Sequence, residues 1–169
     1  MIVLGVDPGI ANTGYGIVRS EGSRLDSIQY GLIETAAAAP LEQRLTEVFS
    51  DIGDLIDRFN VDAVAVEDLY FGANVSSALA VGQARGVVLL AAGQRNLPVR
   101  AYTPQQVKAA VCGSGRADKQ QVAHMVARLL GLAAPPKPDH AADALAVAIC
   151  DTSRASLAEA VAYATAARA

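Results

Sequence analysis

The chain has 169 residues, of which 52% are hydrophobic and 18% charged, with a formal net charge of −3. That is one domain with a real core, and the balance excludes a disordered or fibrous chain. No apolar run reaches the ~18–20 residues of a membrane span, and the N-terminal Met-Ile-Val-Leu-Gly lacks the basic segment of a secretory signal, so a cytoplasmic protein is expected.

Residues 2–7 read as a buried strand ending in Asp7. Thr13–Arg19 and Ser27–Thr35 read as two more, joined by the turn-like Ser20-Glu21-Gly22-Ser23, which gives an antiparallel meander. After Pro40 a helix is expected, because Leu41, Leu45, Val48, Phe49, Ile52, Leu55, Ile56 and Phe59 recur at spacings of three and four. Its acids Glu47, Asp51, Asp54 and Asp57 fall on the opposite, solvated face. Val61–Val66 is nearly all apolar, the pattern of a parallel strand covered on both faces.

Asn74–Arg95 reads as mostly helical, with Ala78, Ala80, Gly82, Ala84 and Gly86 suited to close packing. Val99–Tyr102 is a short strand, and Thr103-Pro104 caps and opens the helix that Gly113-Ser114-Gly115 breaks. Asp118–Leu130 is the next helix, closed by Gly131. Pro135-Pro136-Lys137-Pro138 is a stiff linker, with Asp139 placed to cap the helix that follows. The Ala-rich stretch from Ala155 reads as an extra helix. Cys112 and Cys150 share no metal-type spacing and read as reduced thiols.

The order β-β-β-α-β-α-β-α-α-α predicts an α/β fold with a mixed five-stranded sheet and helices on both faces. The first and fourth strands can lie side by side through a helical crossover. Neighbouring strands are about 4.8 Å apart, so Asp7 and Glu67, each ending an apolar strand, would project close together.

Charge is unevenly spread. From Glu42 to Asp68 the acids Glu42, Glu47, Asp51, Asp54, Asp57, Asp62, Glu67 and Asp68 outnumber Arg44 and Arg58. From Leu69 to Pro138 the cations Arg85, Arg95, Arg100, Lys108, Arg116, Lys119, Arg128 and Lys137 face only Asp118. Presented on one side, that stretch would form a basic surface despite the acidic total.

Three acidic stations stand where apolar segments meet turns: Asp7, Glu67, and the run Asp139, His140, Asp143. Charge at a buried strand end is disfavoured unless something positive is bound. Converging carboxylates suit hard divalent cations such as Mg²⁺ or Mn²⁺. Two such ions can clamp the attacking and leaving oxygens of a phosphodiester. Within the third station, His140 and Asp143 are three apart and share a helix face; Asp139 and Asp143, four apart, could share one too, but Asp139 has a structural explanation as the N-cap. Asp7-Pro8-Gly9 with Gly14 also fits the phosphate hairpin of sugar-kinase and actin-like ATPases, but that architecture needs two lobes and 169 residues do not supply them.

Several segments match one family in order: Gly5-Val6-Asp7-Pro8-Gly9 with Thr13-Gly14-Tyr15-Gly16, Val66-Glu67, Asn74 with Ser77-Ala78, Gly82–Gly86, Gln106-Val107-Lys108, Gly113–Gly115 with Lys119–Val122, and Asp139–Leu145. On these residues the chain resembles the RuvC family of Holliday-junction resolvases, ribonuclease-H-like nucleases, over residues 1–151. That leaves 152–169 as an Ala-rich helical tail.

The resemblance implies a homodimer that nicks two strands of like polarity at a four-way DNA junction, with two Mg²⁺ or Mn²⁺ ions per active site. It implies 5′-phosphate and 3′-hydroxyl products, a role in homologous recombination and DNA repair, and the branch-migration proteins RuvA and RuvB as partners. Asp7, Glu67, His140 and Asp143 match the family's four metal-holding catalytic positions, and His140 places the chain among members with histidine there. Lys108 and Lys119 match basic residues facing the scissile DNA, and Tyr70 and Phe71 fall at an aromatic position beside the junction centre. Arg85 and Arg116 complete the expected DNA-binding set. Asp68 departs from the Gln or Glu expected beside Glu67.

Overall fold

The computed structural model describes residues 1–68 and 75–166, with side chains placed for all of these except 75–77 and 155–166. The elements are β1 (Ile2–Asp7), β2 (Asn12–Glu21), β3 (Arg24–Glu34), α1 (Leu41–Phe59), β4 (Ala63–Glu67), α2 (Val75–Gly93), β5 (Val99–Tyr102), α3 (Pro104–Cys112), α4 (Lys119–Leu129) and α5 (Asp139–Ala166). They build one sheet in the order β3-β2-β1-β4-β5. β1 pairs with β4, and β4 with β5, in parallel; the meander pairs are antiparallel. The expected α/β fold with a mixed five-stranded sheet is present.

Element ends differ from expectation for local reasons. The first hairpin is tighter, because Glu21 pairs with Arg24 across Gly22-Ser23, and Gly22 takes the left-handed φ of 61° that the turn needs. β4 starts late, since the Val61 amide bonds back to Ile56 of α1. Asp62 is occupied with Ile2: its amide donates to the Ile2 carbonyl, and its carboxylate accepts the Ile2 amide at 2.6 Å. α5 runs unbroken to Ala166, so the Ala-rich stretch continues that helix and does not start another. Asp139 is the first helical residue and not the cap; the Pro138 carbonyl accepts the first amides, and the Asp139 carboxylate turns to Lys119.

Strand alternation sends successive side chains to opposite faces, and each face has its own core. On one, Val3, Val18, Ala65 and Tyr102 pack under α3, α4 and α5 through Val107, Val111, Val122, Val126, Leu145 and Ile149. On the other, Leu4, Val6, Ile17, Val64 and Val66 pack under α1 and α2 through Val48, Ile52, Ile56, Val88 and Ala92. α5 lies against β1 and β2 so closely that a Cβ on Gly5 would overlap the Ala144 carbonyl oxygen, and one on Gly14 would overlap that of His140. These two glycines bring the start of α5 down onto the sheet.

The small residues of α2 serve two purposes. Ala84, Val88, Ala91 and Ala92 are buried toward the core, but Gly86 and Gly93 face open space. They lie on the same face as Leu79 and Leu90, which are 63% and 55% exposed.

Candidate active site

Parity along the strands decides where the acids point. Gly5 faces α5, so Asp7, two residues on, ends β1 on that same face. Ala65 belongs to the core under α5, so Glu67 ends β4 on that face too. Asp68 then points the other way, toward α2, where its carboxylate stands 3.7 Å from the Arg85 guanidinium. This answers for Asp68: it is turned away from the acidic station.

The first turn of α5 completes the group. His140 Nδ1 stands 2.7 Å from the Asp7 carboxylate. Ligand atoms of Asp7, His140 and Asp143 all lie within 4.8 Å of one another. An ionised Asp7 can only accept, so it takes this hydrogen bond from His140 Nδ1. Glu67 is outside this tight trio but adjoins it, sharing with Asp143, Lys108 and Lys119 a cleft of about 190 Å³.

The site's electrostatics match a place that lacks positive charge. Burial pushes the Asp7 carboxyl above its ordinary range, the hydrogen bond and charge of His140 oppose this, and the Asp143 charge adds to it. Glu67 is pushed up to about 7, first by burial and then by the charges of Asp7 and Asp143, against the pull of Lys119 and Lys108. Lys119 already stands among these acids, at 3.1 Å from Asp143 and 3.3 Å from Asp139; burial lowers its ammonium's pKa, but the hydrogen bonds and charges of those acids hold it above the usual lysine value. Three oxygen donors and one imidazole, partly buried and mutually repelling, form a donor set that fits a hard divalent ion.

The expected DNA contacts divide. Lys108 and Lys119 line the cleft beside the carboxylates. Arg116 lines a separate groove of about 540 Å³ with Ser114, Gln121, His124 and Arg128, between the loop after α3 and α4. Arg85 lies across the sheet with Asp68. Tyr70 and Phe71 are outside the described residues.

The basic stretch is less basic than its composition, because Arg95 forks onto Asp57 at 2.6 and 2.7 Å and Arg100 onto Asp151. Sequence reasoning missed that second pair altogether. Its only trace was an acid, Asp151, closing the apolar run Leu145–Cys150 of a helix.

Comparison with known proteins agrees with this arrangement. The family model "Crossover junction endodeoxyribonuclease RuvC" matches residues 3–151. The chain is 53% identical over 150 residues to the crossover junction endodeoxyribonuclease RuvC of Desulfitobacterium hafniense, covering 89% of this chain and 91% of that one. It is 52% identical over 150 residues to the RuvC of Heliobacterium modesticaldum, covering 89% and 93%. Thermus thermophilus RuvC in complex with a Holliday junction substrate superposes with a TM-score of 0.90 at 38% identity, covering 94% of this chain and 96% of the other. Asp7, Glu67, His140 and Asp143 all lie within the matched residues, and on this likeness of sequence and fold the chain belongs to the RuvC family of crossover junction endodeoxyribonucleases.

Proposed function

We propose that this protein is a structure-selective endonuclease that resolves four-way DNA junctions in recombination and repair by paired, symmetric phosphodiester hydrolysis. The observation that carries the reading is the meeting of Asp7, His140 and Asp143 within 4.8 Å, with Glu67 alongside, at the mouth of a cleft that also holds two lysines. A linear duplex would be cut poorly and an RNA–DNA hybrid likewise. Competition among the three substrates tests this, and preference for the hybrid would move the activity to another nuclease of the same fold.

Asp7, Glu67, His140 and Asp143 are the proposed holders of Mg²⁺ or Mn²⁺, two ions per active site. Bound there, the ions would lower the pKa of the attacking water and neutralise charge on the leaving oxygen. His140 would supply a ring nitrogen, and its contact with Asp7 through Nδ1 at 2.7 Å holds the ring among the carboxylates. Lys108 and Lys119 are placed to neutralise the scissile phosphate, a role that asks Lys119 to exchange its carboxylate partners for DNA. Strand ends and a helix start hold these groups rigidly, as hydrolysis in line requires. Products would carry 5′-phosphate and 3′-hydroxyl ends.

Arg116, with His124 and Arg128 in the neighbouring groove, would grip the phosphate backbone of a junction arm, and Tyr70, Phe71 and Arg85 complete the proposed DNA contacts. A four-way junction has two-fold symmetry, so paired nicks call for two sites related by a two-fold axis. The exposed apolar face of α2, with Leu79 and Leu90 beside Gly86 and Gly93, supports a homodimer formed there. Residues 1–151 make the proposed nuclease domain and 152–169 its C-terminal tail. RuvA and RuvB are the proposed partners. Among the described residues no helix is long and apolar enough to cross a membrane, and the proposed location is the cytoplasm.

A further inference from the structure

Asp151 is a carboxylate with no exposed surface, placed eight residues after Asp143 on α5, roughly 12 Å along the helix, so the proposed chemistry does not use it. It is fully engaged. Arg100 Nη1 reaches both of its oxygens, at 2.8 and 3.0 Å, and the Tyr102 hydroxyl donates to Oδ1 at 2.8 Å. Arg100 and Tyr102 are alternate residues of β5 and so point to one face, the face on which α5 packs. The guanidinium of Arg154 stands 5.5 Å from the centroid of the Tyr102 ring, closing the group from the α5 side. Burying a charge this deeply is costly unless its partners are well placed, so the geometry of all three is tightly constrained.

The position of Tyr102 gives the triad its consequence. The parallel ladder between β1 and β4 ends at Val6 and Val66, one residue short of the two catalytic-site acids. Glu67 has its register partner on the other side, and that partner is Tyr102. The amide of Asp68 then donates to the Tyr102 carbonyl at 2.8 Å, so the backbone just after Glu67 is also tied to Tyr102. A closed loop of contacts results. Glu67 is held by Tyr102, Tyr102 by Asp151, and Asp151 sits on the helix that carries His140 and Asp143.

The other half of the site has its own fastening, since α5 is seated on β1 and β2 through Gly5 and Gly14. Among the described residues this triad supplies the side-chain hydrogen bonds between the end of β5 and α5, on top of the apolar packing of α5 against Ala65 and Tyr102. Loosening it would let Glu67 shift relative to the trio by the few tenths of an ångström that matter for a shared ion.

We propose that Asp151, Arg100 and Tyr102 are positioning residues, a buried clamp that sets Glu67 at the right distance from Asp7, His140 and Asp143 for metal binding. This rests on the reading of those four residues as a metal site.

The test is calorimetric titration of Mn²⁺ into the full chain, free of DNA, for wild type, Tyr102→Phe and Asp151→Asn, with the melting temperature and metal-dependent junction cleavage measured alongside. Tyr102→Phe keeps the ring and removes one hydrogen bond, so it folds even where Asp151→Asn does not. The clamp predicts that Tyr102→Phe weakens Mn²⁺ binding by roughly tenfold. It also predicts a matching rise in the Mn²⁺ needed for half-maximal cleavage, and recovery of most of the rate at saturating metal. Junction affinity measured without divalent ions should be unchanged. A lowered melting temperature with wild-type Mn²⁺ affinity in both variants would overturn the proposal and leave the nuclease reading intact, because the triad would then be structural only. Failure of the wild type itself to bind Mn²⁺ would overturn the metal site, and the clamp with it.

Discussion

His140 Nδ1 and the Asp7 carboxylate stand 2.7 Å apart, which joins the first turn of α5 to the last residue of β1 across 133 positions of chain. The contact gives an exposed imidazole a fixed orientation: His140 is 49% exposed, and without a partner its ring would sample several rotamers. It also tempers the cost of leaving Asp7 ionised at 16% exposure beside Asp143.

Replacing that nitrogen ligand by oxygen should change the metal and keep the fold. His140→Asp makes the group all-carboxylate, which suits Mg²⁺ better, whereas imidazole suits Mn²⁺. The ratio of cleavage rate with Mn²⁺ to that with Mg²⁺ is expected to fall by roughly fivefold. An unchanged ratio would remove His140 from the set of ligands.

Glu67 yields a prediction on stability. Its carboxyl keeps a proton up to about pH 7 in the folded chain but only to about 4.5 in the ordinary case. Between those values the folded state therefore binds more protons than the unfolded one, and metal-free stability falls as pH rises through the window. Glu67→Gln removes the buried charge. It should raise the melting temperature of the metal-free protein at pH 8 by a few degrees, lessen the pH slope, and abolish cleavage. Added Mn²⁺ should raise the wild-type melting temperature at pH 8 and affect the variant far less.

Gly14→Ala is expected to harm fold and site together. The new Cβ meets the His140 carbonyl carbon and oxygen, which belong to the backbone of α5 and have little room to give. Overpacking of this kind costs about 1–3 kcal/mol. Because the helix start carries His140 and Asp143, cleavage should fall even at temperatures where the variant remains folded. Chemical denaturation and single-turnover cleavage on the same preparation separate the two effects.

The groove of Arg116 and Arg128 should appear in salt dependence. Each phosphate contact contributes about 0.9 to the slope of log affinity against log salt. Arg116→Ala with Arg128→Ala should thus lower the slope for junction binding by roughly 2, with little change in cleavage rate once DNA is saturating. A slope equal to wild type would place the DNA elsewhere.

Much of the architecture could be read before any coordinate, because the helix of α1 and the apolar strands β1 and β4 carry strong periodic patterns. The two outer acids followed directly, since Asp7 and Glu67 end those strands. His140 stood ahead of Asp139 because Asp139 read as a helix cap and the family resemblance fell on His140; ligand atoms of Asp7, His140 and Asp143 lie within 4.8 Å of one another. The reason offered for Asp139 was wrong, as the helix starts one residue earlier and its carboxylate serves Lys119. What composition overstated was free positive charge. Arg95 and Arg100 each found an acid 38 and 51 residues away, pairings between elements that no local pattern encodes. The buried Asp151 was hidden for the same reason.

The central claim is that Asp7, Glu67, His140 and Asp143 hold the ions that cleave a junction. A synthetic four-way junction, labelled on each strand in turn and incubated with Mg²⁺ or Mn²⁺, tests it most directly, with wild type compared against Asp7→Asn. The account predicts paired nicks on two strands of like polarity that a ligase can seal. It also predicts a loss of roughly 10²-fold or more in Asp7→Asn, with junction binding retained. Equal cutting by both proteins, or tight binding by wild type with no cutting under either metal, would contradict it.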